Sequence, residues 1–152
     1  VQILAPLGRR GAKGRYYIKT TITRLNDRGL VEFKKSRQGK KYLSITEKGL
    51  KELSKYQLGE LTIKKPYRWD GKWRVLIFDI KEFRRHDRDR LRIELVNFGF
   101  VRLQNSVWVY PYECEELVIL IKSSFELGKS LLYLTVEKLE QDDFLRRHFG
   151  LS

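Results

Sequence analysis

The sequence predicts an α+β fold in two parts, a strongly basic N-terminal unit and a longer C-terminal unit of balanced charge. Three observations carry this. Of the net charge of +13, residues 1–66 hold +12 and residues 67–152 hold +1. The spacing of apolar residues switches repeatedly between the helical and the strand period. Glycines stand where helical spacing ends, at Gly29, Gly99 and Gly128. The units are placed at 1–60 and 67–152, divided by the mixed polar stretch Leu58–Lys65 and by Pro66.

Taken in order, Val1, Ile3, Leu4 and Leu7 suit the end of a helix, and the Gly/Arg/Lys stretch to Gly14 suits a flexible connection. Ile18, Ile22 and Leu25 then recur at i, i+4 and i+7, which predicts a helix over Tyr16–Arg28. Its opposite face carries Lys19, Thr20, Thr23, Arg24 and Asn26. Leu30–Phe33 predicts a strand with Val31 and Phe33 on one side. Ser36–Gly39 is a turn, and Tyr42–Ile45 is the return strand. The tip of this hairpin carries Lys34, Lys35, Arg37, Lys40 and Lys41. Thr46 suits the N-cap of a helix whose apolar residues are Leu50 and Leu53.

Helix, basic hairpin, helix is the back half of a winged helix-turn-helix. Short polar side chains on an exposed helix face fit the major groove, and a lysine-tipped hairpin can lie along phosphates. Ile22–Leu30 (ITRLNDRGL) and Leu43–Leu50 (LSITEKGL) resemble the recognition helix and post-wing helix of bacterial winged-helix regulators. Fifteen residues cannot hold the two helices that precede a recognition helix, so either those helices lie outside this sequence or the hairpin is decoration. The chain also contains no methionine, so further material is expected before Val1.

The second unit predicts βαββαβ, the ferredoxin-like arrangement. Its strands fall at Trp73–Ile80, near 100–104 and 106–111, and at Ser130–Val136. A turn or bulge is expected at Gln104–Ser106. Helices fall near 86–98, with Leu91, Leu95 and Phe98 on one face, and near 113–127, with Leu117, Leu120 and Ile121, ending at Gly128. A short helix closes the chain over Asp142–Phe149.

Composition narrows the functional classes. Hydrophobic residues make up 41% and charged residues 34% of the chain, which suits a globular protein. No apolar run approaches the ~18 residues of a membrane span, so no membrane partner is expected. The lone cysteine, Cys114, excludes an intrachain disulfide and a Cys-rich zinc site, and agrees with a cytoplasmic location. A unit of charge +12 should attract a polyanion, and double-stranded DNA is the expected partner.

Candidate chemistry concentrates between Trp69 and Pro111. Asp79 ends an apolar strand and is followed by Arg84 and Arg85. As a metal ligand, Asp79 suits Mg2+, which takes one or two carboxylates plus water. Alternatively it caps the next helix or pairs with Arg84 or Arg85. The two arginines either grip phosphate or decorate a loop. His86 suits a helix cap, His148 has no partner in sequence, and Cys114 has no nucleophile–base partner. Trp69, Trp73 and Trp108 suit core or interface positions.

Lys72–Ile80, Arg84–Arg85, Gly99–Phe100 and Leu103–Pro111 (LQNSVWVYP) resemble the central domain of the PaaX family of bacterial repressors. The same domain is similar to the small endonuclease of CRISPR spacer adaptation, Cas Two. That resemblance implies a catalytic role and a shared dimeric metal site for Asp79. It implies phosphate or active-site support from Arg84, Arg85, Ser106 and Trp108. The departures are Ile80–Glu82 and Trp108, which replaces a phenylalanine. The fused N-terminal unit favours the repressor side. The expected function is therefore a PaaX-like transcriptional regulator, a homodimer with no cofactor. Lys19, Thr20, Thr23 and Arg24 would read bases, while Lys34, Lys35, Arg37, Lys40 and Lys41 would hold phosphates. A small-molecule effector fits such a protein and is not identified by the sequence. The alternative is a Mg2+-dependent endonuclease, acting on DNA or RNA, fused to a winged helix.

Overall fold

The computed structural model describes residues 19–151. The expectations for Val1–Gly14, and for the first turn of the Tyr16–Arg28 helix, lie outside the described residues. Among the described residues no helix is long and apolar enough to cross a membrane.

Helix α1 is described over 19–27. Leu25 is fully buried and Ile22 packs against the core, while Lys19, Thr20, Thr23 and Arg24 are exposed. Gly29, at φ +73°, supplies the left-handed residue that ends the helix. Strands β1 (Val31–Lys35) and β2 (Lys41–Ile45) form an antiparallel hairpin with Val31 opposite Ile45 and Lys35 opposite Lys41. Val31 is buried, but Phe33, on the same side, is 56% exposed. The hairpin has outrun the element it packs on by that point.

Helix α2 (Glu47–Gln57) starts at Thr46, whose Oγ1 accepts from the Gly49 N–H at 3.0 Å and donates to the Gly29 carbonyl at 2.6 Å. Its buried positions are Gly49 and Leu53, whereas Leu50 is 46% exposed. The helix approaches the hairpin through Gly49. A Cβ there would lie 2.0 Å from the Leu30 carbonyl oxygen.

The remaining elements are β3 (Trp73–Phe78), α3 (Arg85–Asn97), β4 (Val101–Gln104), β5 (Val107–Tyr110), α4 (Glu115–Ser124), β6 (Leu131–Val136) and α5 (Asp143–Phe149). The four strands make one antiparallel sheet in the order β4-β5-β3-β6. A register shift between Arg102 and Gln104, followed by a turn at Asn105–Ser106, accounts for the interrupted pattern there. Helix α4 ends at Ser124, and the first left-handed position after it belongs to Glu126, at φ +51°, with Gly128 following at φ +50°. Gly128 opens a short 3-10 turn before β6.

Alternation along the strands gives the sheet two faces. Leu76, Phe78, Trp108 and Leu131 join Leu91, Leu95, Leu117 and Ile121 in a core that continues into Leu25, Leu30, Val31 and Leu53. On the other face, Trp73, Val75 and Val109 pack with Leu145 of α5. Asp142 fixes that helix by accepting from Trp73 Nε1 at 2.9 Å and from Arg146 Nε at 3.0 Å. Arg146 lies over the Trp69 ring, whose centroid is 4.7 Å from that of Trp73. Trp69 Nε1 donates to the Pro111 carbonyl at 2.8 Å. Trp108 is 2% exposed and also belongs to the core.

Candidate nucleic-acid interface

The hairpin tip is shaped by Ser36. Its N–H donates to the Lys40 carbonyl at 2.8 Å, its Oγ accepts from the Lys40 N–H at 3.2 Å, and Gly39 turns at φ +79°. This tight closure projects Lys34, Lys35, Arg37, Lys40 and Lys41. Lys34 meets Glu32 at 3.6 Å. Among the described residues, the side chains of Lys35, Arg37, Lys40 and Lys41 have no hydrogen-bonding or ion-pair partner. A cluster of exposed, unpaired cations raises the local potential and needs no internal pair to be broken before it meets an anion.

On α1, the Lys19 and Thr20 side chains are also unpartnered among the described residues. Thr23 Oγ1 donates back to the Lys19 carbonyl at 2.9 Å. Arg24 is engaged: its Nη2 lies 3.3 Å from Glu116 Oε1 at the start of α4. Arg28, which sequence reasoning missed, donates from Nη1 to the same oxygen at 3.1 Å and approaches Glu52 at 3.6 Å through Nη2. Thr21 Oγ1 donates to Glu115 Oε2 at 3.0 Å, and burial raises the Glu115 carboxyl pKa. The available signal was the i, i+4 spacing of Arg24 and Arg28 facing an acidic helix start. Only the tertiary fold brings the two together.

A cavity of about 770 Å³ opens between α1, the 62–68 segment and the start of α4, with Lys64, Lys65 and Arg68 on its wall. Arg74 closes its floor. It is 7% exposed and donates to both Asp70 carboxylate oxygens, at 2.8 and 2.7 Å, and to the Pro111 carbonyl at 3.0 Å. The Arg74 hydrogen bonds hold the Asp70 carboxyl below its ordinary pKa. Cys114 is buried, and burial pushes its thiol up to about 12, so no reactive thiolate forms there.

The second group of predicted site residues is differently arranged. Asp79 lies one residue beyond β3 and is exposed. Its N–H donates to the Ser130 carbonyl at 2.8 Å. Among the described residues it neither caps α3 nor pairs with an arginine. Arg84 instead meets Asp87 at 3.0 Å and donates to the Phe125 carbonyl, and Arg85 meets Glu82 at 3.6 Å. The N-cap position of α3 is Arg84, with no side-chain cap, and His86 lies inside that helix. The Ser106 carbonyl accepts from the Phe78 N–H at 3.1 Å. Trp108 points into the core, so it cannot stack on a base. His148 packs edge-on against Phe149, with ring centroids 4.9 Å apart.

Among the described residues no group of three or more His, Cys, Asp or Glu side chains could hold a metal ion. One chain offers Asp79 as a single carboxylate, which is too few donors for an ion site on its own. We derive no metal-dependent step from it.

No curated protein matches the chain. The family model described as the PaaX protein central Cas2-like domain matches residues 66–145. The matched span begins just ahead of Trp69, takes in all four strands of the larger sheet and reaches the first three residues of α5. It covers more than half of the sequence, and the chain belongs to the PaaX family.

Proposed function

We propose that this protein is a sequence-specific DNA-binding transcriptional regulator. In this reading, α1, the β1–β2 hairpin and α2 are the back half of a winged helix-turn-helix. The 67–152 unit, with its β3-α3-β4-β5-α4-β6 order, is a ferredoxin-like dimerisation domain. The observation that carries the reading is the hairpin tip, where four of five cations lack an internal partner among the described residues. Phosphate contacts from these side chains supply affinity, and Lys19, Thr20, Thr23 and Arg24 supply base contacts. Titrating a labelled duplex at several salt concentrations tests this. Binding should weaken steeply with salt, by roughly 0.9 in the log–log slope per phosphate contact. A flat salt dependence would remove the hairpin from the interface.

Dimerisation is supported by the part of the outer sheet face that α5 leaves open. Ile77 and Leu132 are direct partners across β3 and β6, and they and Leu134 are between 36% and 37% exposed. Light scattering on the full chain should give twice the 18.2 kDa chain mass, and Leu132→Glu with Leu134→Glu should return the monomer.

The exposed, unpaired Asp79 favours a second reading, a metal-dependent endonuclease that draws a second carboxylate from a partner copy. Cleavage of DNA or RNA by the wild type with Mg2+, lost in Asp79→Asn at unchanged melting temperature, would establish it over the regulator.

A further inference from the structure

Glu116 stands 88 residues from Arg28 in sequence, yet one of its oxygens holds two guanidinium groups of α1. Arg24 and Arg28 are successive-turn neighbours of like charge, and such pairs repel on a helix. A carboxylate between them relieves that repulsion. A phosphate oxygen would do the same, since it too accepts charge-assisted hydrogen bonds from guanidinium. The side chains are accessible: Arg24 is 56%, Arg28 43% and Glu116 34% exposed. Solvent and nucleic acid can therefore reach the pairs.

We propose that Glu116 is a built-in competitor of nucleic acid, holding Arg24 of α1 away from a base edge and Arg28 away from phosphate until an approaching duplex displaces it. The proposal rests on the DNA-binding reading of α1 and adds its regulation. The attachment is asymmetric. The Thr21–Glu115 hydrogen bond at 3.0 Å lies on the buried side and keeps α1 seated on α4. The Glu116 pairs lie on the open side and can exchange without unseating the helix. Glu52, which meets both Arg28 at 3.6 Å and Lys55 at 3.7 Å, gives Arg28 a second anchor. Among the described residues, Glu116 is the one carboxylate within ion-pair distance of Arg24, which is therefore the side chain released first.

The test is Glu116→Gln in the full chain, with Glu140→Gln as a control of equal charge change at an exposed residue. Two readouts are used, titration of a labelled duplex and the salt concentration that elutes the chain from heparin. Glu116→Gln should tighten duplex binding by roughly two- to five-fold, the scale of an exposed ion pair. It should also steepen the salt slope by about 0.9 for each guanidinium that gains a phosphate, and delay elution from heparin. Glu116→Lys should go further in the same direction. Unchanged or weaker binding, or an equal gain in Glu140→Gln, overturns the proposal. If the wild type binds no duplex, the DNA reading fails by itself. Heparin, a sulfated polyanion, still reads the competition: later elution of Glu116→Gln supports it, and unchanged elution overturns it.

Discussion

Arginine and lysine do opposite work in the two halves of this molecule. Around the larger sheet they are spent internally: Arg74 on Asp70, Arg84 on Asp87, Arg88 on Glu82, Arg92 on Asp89 and Arg146 on Asp142. At the hairpin tip, Lys35, Arg37, Lys40 and Lys41 have no such partner among the described residues. Similar numbers of cations, 17 in residues 1–66 and 15 in residues 67–152, thus give different surfaces. The difference teaches that a count of basic residues says less about a polyanion site than a count of acids placed within reach of them. Helix α1 lies between the two regimes, with Lys19 unpartnered among the described residues and Arg24 engaged.

The strongest way to break the comparison is to neutralise the tip. Replacing Lys34, Lys35, Arg37, Lys40 and Lys41 with glutamine should lower duplex affinity on the order of 10³-fold near physiological salt, with the melting temperature held. Replacing Arg84, Arg85, Arg88 and Arg92 together should leave the salt slope as it is. An equal loss from both sets would mean that internal pairing does not decide which cations bind.

Next in size is Gly49→Ala, which separates shape from charge. The added Cβ meets the Leu30 backbone, which cannot yield like a side-chain tip, so the change should cost about 3 kcal/mol or more. Binding would then fall together with the melting temperature, unlike in the tip variant. Arg74→Ala tests the internal side. It removes the charge-assisted hydrogen bonds to Asp70 and one of the two donors to the Pro111 carbonyl, and should cost roughly 1.5–3 kcal/mol in denaturant titrations, with the salt slope of DNA binding unchanged.

A smaller effect is expected from pH. Asp70 has a folded pKa below its unfolded value. Its contribution is therefore complete above the unfolded value of about 3.9 and is lost as pH falls through the folded one. Asp70→Asn should flatten stability against pH in that acid window and leave neutral-pH binding alone. The smallest effect belongs to Asp79→Asn. With no side-chain partner among the described residues and an exposed position, it should move stability by no more than about 0.5 kcal/mol.

The features the sequence made legible were those set by near neighbours. The Gly29 stop, the Thr46 cap, the Leu91–Leu95 face and the interrupted β4–β5 pattern all follow from spacing within a few residues. Spacing assigns a residue to a face but not the reach of the element opposite. Phe33 was read on one side with Val31, and Leu50 as an apolar residue of a helix with Leu53, yet Phe33 and Leu50 are exposed while Val31 and Leu53 are buried. Glu126 and Gly128 both adopt positive φ after α4, so the helix ends ahead of the glycine that spacing marked as its stop. The wing cations could be named from sequence, whereas the hold of Glu116 on α1 could not, since it joins residues far apart in the chain. For Asp79, two arginines nearby suggested a pair, but each found a carboxylate closer along its own helix entry.

The three tryptophans described above have an optical consequence. Trp69, Trp73 and Trp108 all belong to the half of the chain that bears the larger sheet, and Trp73 and Trp108 are almost fully shielded from water. Indole emission should therefore be blue-shifted and poorly quenched by iodide, and it should report that half alone. The basic half is dark at those wavelengths, with tyrosine as its brightest chromophore. Any spectral shift in indole emission on adding a polyanion would thus be a signal carried across the shared core from a place that emits none of its own.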